Sequence, residues 1–299
     1  MRKVLKALLS ITIIIVVGAG VFLYNLQYRT PFTIKEFVEL TAQKYTEENP
    51  HEYIQALRDC MLEGKPEVSV NYVGSLDKMN TFAEEVLEHV FDYDDPSTSS
   101  DYDYLRYNYA GMKISMDGIY GYYKLNYQFS YMETKEQTDE VDKEIDRLFN
   151  EWKIGELSDY KKVKKIHDYI ILNSSYDMSA KKNTAYSCLI EKQSACQGYA
   201  ALVYKMLTKA DVPCRIIVGR GNNENHAWNI VKLNDFWYNL DCTWDDPIGP
   251  VGDDYISYEF FLKGTLNFKN HTPDEKYTTE SFEMEYSISP GDYKVKRKK

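Results

Sequence analysis

The chain has 299 residues, enough for one large hydrophobic core or two modest ones. A formal net charge of −10 argues against nucleic acid as a partner, since phosphate binding needs a basic face. Five cysteines make neither a disulfide framework nor a Cys-x-x-Cys metal pair, and 27 tyrosines fit pleated sheet and wet aromatic surface better than disorder.

Arg2, Lys3 and Lys6 precede an uncharged run from Ala7 to Tyr28. As a helix this run is about 33 Å long and spans a bilayer. Gly18-Ala19-Gly20 makes a poor cleavage site, so residues 1–29 read as an uncleaved signal anchor. The positive flank then stays inside, which puts the chain from Arg29 onward outside the cytoplasm on a single-pass cell-membrane protein. Secretion after cleavage is the alternative.

Phe37, Val38, Thr41 and Tyr45 give a first helix, and Tyr53 to Met61 a shorter second one. Val68, Val70 and Tyr72 alternate as a strand, and Phe82, Val86 and Val90 mark the inner face of a helix over 77–91. Leu105, Tyr107 and Tyr109 alternate again, as do Leu125, Tyr127, Phe129 and Tyr131, with Asp117-Gly118 as the expected hairpin turn between them. Residues 30–155 therefore read as a small α+β domain, closed by an amphipathic helix through Val141, Ile145, Leu148, Phe149 and Trp152 that stops at Gly155. The five aspartates of 92–103 lack the glycine and terminal glutamate of a calcium loop and read as a solvated linker.

Ser158 is placed to cap the next helix, whose Val163, Ile166 and Ile170 face inward, with His167 beside them as a packed or solvated residue. Ser194 followed by Gln197 is a capping-box pattern that starts a helix just before Cys196. Tyr199, Leu202, Val203, Met206, Leu207 and Ala210 form its buried face. A thiol in the first helical turn is biased toward thiolate by the macrodipole, and Gly198 leaves the backbone there open to a substrate. After a strand from Cys214 to Val218 and a glycine- and asparagine-rich loop, His226–Leu233 and Phe236–Thr243 read as a hairpin turning at Asn234-Asp235. In that register Asp241 lies opposite Trp228 and diagonal to His226, within reach of an imidazole–carboxylate hydrogen bond. Asp245-Asp246-Pro247 is a turn or a cation site, Tyr255, Tyr258, Phe260 and Phe261 suggest a closing helix or strand, and 291–299 is a basic tail.

Cys196-Gln197-Gly198-Tyr199-Ala200, His226-Ala227-Trp228-Asn229 and the run from Trp237 to Trp244 resemble, in order, the core of the transglutaminase-like superfamily. Ile166 to Ile170 and Ser175-Tyr176-Asp177 resemble the helix and bend that lead into it. Cys242 stands where that family would have a proline. The resemblance implies an α+β papain/transglutaminase-like fold over 156–290, with a cysteine-bearing helix packed on an antiparallel sheet that carries the histidine and aspartate. It implies acyl transfer by a Cys196–His226–Asp241 triad through a thioester, with no metal or organic cofactor. Tyr176 and Tyr186 are the oxyanion candidates; Gly198, Trp228 and Trp244 are the substrate-binding candidates. The expected partner is a protein or peptide amide, and an extracytoplasmic position suits one on the cell surface or in the wall. Water as acceptor gives hydrolysis and an amine gives a cross-link, a choice the residues leave open. The alternative is a catalytically silent fold that serves as a binding module.

Overall fold

The structure, a computed structural model, describes residues 19–22, 24–25, 30–41, 46–92, 103–119, 121–246 and 255–295. Most of the helix expected over 7–28 falls outside these. Among the described residues, no helix is long and apolar enough to cross a membrane. Residues 93–102 of the acidic stretch and 296–299 of the basic tail also lie outside.

Two compact units divide the chain, the first comprising residues up to Phe91 plus Gly111–Ser130. It holds helices α1 (Ile34–Thr41) and α2 (His51–Leu62), strand β1 (Glu67–Val73) and helix α3 (Leu76–Asp92). Helix α4 (Asp103–Asn108) belongs to the second unit, and the hairpin β2 (Tyr109–Ile119) and β3 (Tyr122–Tyr131) returns to the first. The sheet order is β1-β3-β2, with Val70 paired to Leu125 and Tyr72 to Tyr123. The alternation of β1 and β3 sends Val70, Tyr72, Leu125 and Tyr127 inward. There the hydroxyls of Tyr53 and Tyr127 bond at 2.8 Å.

Three expectations for this region change. Leu105 and Tyr107 lie on a helix, because tertiary contact overrides a three-residue alternation: Asp103, at the start of α4, is buried against Arg215 and accepts the backbone N–H of Ile216 at 2.7 Å. The hairpin turns between Ile119 and Tyr122, where Gly121 takes a φ of 84°. The division expected at Gly155 falls instead near residue 131. Helix α5 (Lys135–Trp152), capped by a Thr134–Gln137 box, buries Val141, Ile145 and Leu148 in the core of the second unit.

That core is built around one helix. Helix α6 (Asp159–Asn173) leads to the two-residue strand β4 (Ser175–Tyr176), then α7 (Ala185–Leu189), β5 (Gln193–Ser194) and α8 (Cys196–Lys209). Leu202, Val203, Met206 and Leu207 of α8 are almost fully buried; truncating one such leucine to alanine costs about 2–5 kcal/mol. The sheet that follows comprises β6 (Cys214–Gly221), β7 (Glu224–Leu233), β8 (Phe236–Leu240) and, after the short helix α9 (Cys242–Asp245), β9 (His271–Pro273), in the order β8-β7-β6-β9. A last helix, α10, spans Glu280–Glu285. The loop expected around Gly219–Glu224 is tighter than it reads: strand pairing runs to Gly221–Glu224, and Asn222 and Asn223 turn the chain with φ of 49° and 68°, both in the left-handed region that a two-residue hairpin demands. Residues 255–270 form no regular closing helix or strand. They lie along β8 instead, with Asn239 bridged to Lys263.

Candidate active site

Cys196 is the first residue of α8, so the helix does begin where expected, but not through the expected cap. Ala195 holds the N-cap position and makes no side-chain cap. Ser194 sits in β5, where its hydroxyl donates to the Lys182 carbonyl at 3.2 Å. The entry to the helix is fixed from outside. The Asp177 carboxylate accepts from the backbone N–H of Lys182, from the Ser179 hydroxyl and backbone, and from Lys181, all at 2.7–3.0 Å, which holds it down at about 2. The turn so tied presents the Lys182 carbonyl to the Ala195 N–H at 2.6 Å, one residue before the thiol.

Gly198 does not open the backbone to a substrate. A Cβ there would lie 2.0 Å from Ser194 Oγ and 2.5 Å from the Thr184 carbonyl oxygen, so the glycine lets α8 pack against the start of α7. Gly198→Ala should therefore act as an overpacking mutation, lowering stability by about 1–3 kcal/mol. Thermal unfolding would read this as a reduced midpoint, while a substrate-binding glycine would leave the midpoint alone.

The β7–β8 register is the one the two-residue turn predicts: Asn229 pairs with Leu240 and Ile230 with Asn239. Asp241 follows the last paired residue, but the strand ends there rather than at Thr243. Its Oδ1 caps α9 by accepting from Thr243 N at 2.9 Å and Trp244 N at 3.2 Å, and its Oδ2 accepts from His226 Nε2 at 2.7 Å. Burial alone would raise the Asp241 carboxyl; hydrogen bonds from His226 and His271 overcome it and hold the group below its ordinary value. Burial likewise works against a charged His226, but its bond to Asp241 and the neighbouring Cys196 outweigh that and push the ring up to about 9. With Nε2 on the carboxylate, Nδ1 is the nitrogen left for the thiol. Gly221 makes room for this ring: a Cβ there would lie 3.0 Å from His226 Cδ2 and 2.7 Å from Trp244. Asn229 ties the histidine strand to the cysteine helix through its amide N–H, which donates to the Ala200 carbonyl at 3.0 Å.

Of the other expected site residues, Tyr176 pairs with Ser194 across β4 and β5, two residues before the thiol. Burial and then the charge of Cys196 raise its phenol. Tyr186 is not brought to the site, for its hydroxyl neighbours are Glu140 and Glu191. Trp228 is buried, donates from Nε1 to Asn239 Oδ1 at 3.3 Å, and walls a cavity of about 190 Å³ with Ile217, Ile230, Phe268 and His271. Trp244 is half-buried, its ring 5.2 Å from His226 and 4.2 Å from His271.

Two residues near the site were missed from sequence. His271, on β9, shares the Asp241 carboxylate. Tyr107, read as a strand residue, lines a small cavity with Gln197 and carries a buried hydroxyl with no hydrogen-bond partner among the described residues. His226, Asp241 and His271 also bring three possible metal-ligating atoms within 4.8 Å of one another. Their nitrogen–oxygen separations of 2.7 and 3.0 Å are those of hydrogen bonds; ligands on a tetrahedral zinc stand about 3.3–3.5 Å apart. The possible cation site at Asp245-Asp246 is likewise engaged. Asp245 is fully buried, taking His167 Nε2 at 3.1 Å, Ser257 Oγ at 3.0 Å and Phe260 N at 2.9 Å, while Asp246 accepts the Tyr199 hydroxyl. His167, also fully buried, is thus a packed residue held between Asp168 and Asp245.

A partly exposed thiol at a helix start, beside a buried histidine that rests on a buried carboxylate, defines a cysteine-type enzyme core. A sequence profile described as the transglutaminase-like superfamily matches residues 146–242. These residues are a transglutaminase-like core. Among curated proteins, the kyphoscoliosis peptidases of Mus musculus and Homo sapiens are similar at 27% and 26% identity over 142 residues, 40% of this chain. The match spans only 22% of the length of each relative. Among solved structures, a crystal structure of a TGase aligns with a TM-score of 0.34 at 13% identity, covering 59% of this chain and 51% of that one.

Proposed function

We propose that the second unit is an acyl-transfer enzyme that cleaves a protein or peptide amide through a thioester on Cys196. The observation that carries this reading is the buried His226–Asp241 pair, bonded at 2.7 Å, whose imidazole is raised by Asp241 and by the neighbouring Cys196 at the start of α8. The Cys196 thiolate adds to the amide carbonyl, forming the carbon–sulfur bond, and the His226 imidazolium gives its proton to the nitrogen as the carbon–nitrogen bond breaks. An acceptor then yields its proton to neutral His226 and attacks the thioester, which regenerates the thiolate. Asp241 keeps the ring in the orientation and tautomer that both steps need. The oxyanion is met by the Cys196 N–H, which as the first of a helix has no intrahelical carbonyl, and by the Tyr176 phenol, kept neutral by its raised value. The word peptidase in the names of the similar curated proteins favours water as acceptor.

The test is mass spectrometry of peptide substrates incubated with the full chain, with and without a primary amine, beside Cys196→Ala. Cleaved peptides that disappear in Cys196→Ala support hydrolysis, and amine-tagged peptides support transfer. Unchanged amides under both conditions would leave a binding module as the better account. The uncharged run Ala7–Tyr28 supports attachment of this unit to a membrane, outside the cytoplasm. Full-length protein should then stay with membranes through an alkaline wash, and release into the wash would overturn that placement.

A further inference from the structure

We infer that His271 is a positioning residue for the catalytic pair, a second histidine that fixes the Asp241 carboxylate on which His226 turns. This rests on the reading of Cys196, His226 and Asp241 just given. His271 Nε2 lies 3.0 Å from Asp241 Oδ2, the same oxygen that takes His226 Nε2 at 2.7 Å. Its other nitrogen, Nδ1, faces the Lys269 carbonyl oxygen at 2.9 Å, so each ring nitrogen faces an oxygen and the ring cannot turn over without losing one of these contacts.

The rest of the surroundings serve that orientation. The side chain is 1% exposed. Phe268 stacks on the ring with centroids 3.9 Å apart and planes 24° apart, and Trp244 and Trp228 close it at 4.2 and 5.1 Å. The strand that carries it is seated by glycine: β9 pairs Pro273 with Gly219, where a Cβ would lie 2.1 Å from the Thr272 carbonyl oxygen. A three-residue strand, an aromatic cage and two hydrogen bonds thus aim one ring at one oxygen. With Oδ1 held by two backbone N–H groups and Oδ2 by two imidazoles, the carboxylate has four donors and no freedom to rotate away from His226. Such fixing of a group that itself orients the reacting base is how an outer partner affects rate without touching substrate.

Two substitutions of similar size and polarity separate this from packing. In His271→Gln the amide nitrogen reaches the place of Nε2 and keeps the bond to Asp241. In His271→Asn the amide falls at the place of Nδ1 and keeps only the bond to Lys269. The readout is the rate of Cys196 carboxamidomethylation by iodoacetamide at about pH 6, which needs no substrate. His271→Gln should stay within about threefold of wild type and His271→Asn should fall about ten- to a hundredfold, the range for a hydrogen bond to a charged group. In an Asp241→Asn background, His271→Asn should cause no further loss, because its effect runs through that carboxylate. Equal rates for the two substitutions, or losses that multiply in the double variant, would overturn the inference. If His226→Ala alkylates like wild type, the enzyme reading has failed. The His226 N–H resonance in histidine-labelled protein then decides for His271, which is supported if that resonance moves in His271→Asn but not in His271→Gln and overturned if it moves in both or in neither.

Discussion

Cys196 is expected to react with iodoacetamide at about pH 6 while the other four cysteines stay largely unmodified. Burial raises the thiols of Cys60, Cys188, Cys214 and Cys242, Cys188 to about 12, and none of the four is more than slightly exposed. An ordinary thiol near ~8.5 is well under 1% thiolate at that pH. The helix start alone contributes about 1 kcal/mol, so fast labelling needs the protonated His226 beside the sulfur. With that ring pushed up to about 9, the imidazolium is fully present at pH 6. His226→Ala should slow Cys196 labelling about a hundredfold with the circular dichroism spectrum unchanged. Equal labelling of wild type and His226→Ala would mean the two residues are not partners. The sign of the shift also sets the upper edge of activity. A ring whose value is raised in the folded protein holds its proton below about pH 9 and loses it above, so turnover, which needs the proton for the leaving nitrogen, should decline as pH rises through about 9. The stability the pair contributes follows the same sign. It is complete below about pH 6.5 and lost as pH rises through about 9.

Asp241→Asn is expected to cost about four orders of magnitude in turnover, the scale on which a triad fails when its carboxylate becomes an amide. The structure gives a reason for so large an effect. Asp241 is surrounded by donors on both oxygens, and an amide must turn its NH₂ either toward the two imidazoles or toward the N–H groups of Thr243 and Trp244. Either choice sets donor against donor, so the substitution also unsettles the start of α9. Asp235→Asn, exposed at the hairpin turn, is the control and should leave turnover and melting unchanged. If the two variants behave alike, Asp241 has no special place in the chemistry.

How far the site could be read in advance depended on how local each signal was. The pairing of β7 with β8 was legible because a two-residue turn fixes the register by counting, and that alone brought His226 and Asp241 together. His271 was not legible. It sits 30 residues from Asp241 on a strand of three residues, too short to show any alternation. Gly198 was misread because a bare backbone looks the same whether a ligand or a neighbouring helix fills the space; only Thr184 and Ser194 decide it. The Ser194–Gln197 pattern met the local requirement for a cap, yet the Ser194 hydroxyl found a stronger claim in the Lys182 carbonyl, and Ala195 took the cap position. The apolar stripe of α5 was read correctly as a buried face, but a stripe does not say which core it covers, and the unit boundary was set on the wrong side of that helix.

The ion pair between Asp103 and Arg215, with its bond to Ile216 N, bears on how the protein is made. Asp103 and Ile216, whose N–H it accepts, are separated by 113 residues, and the chain leaves the second unit at Ala110 to build the β2–β3 hairpin of the first before returning. At a synthesis rate of about 5–20 residues per second, α4 emerges roughly 6 to 23 seconds before the strand it docks on. Through that interval Asp103 and Leu105, both buried in the finished protein, stand in water or against whatever is near. The enzyme core therefore cannot fold in the order in which it is translated. Its first helix must wait for one of its later strands before Asp103 finds its partners.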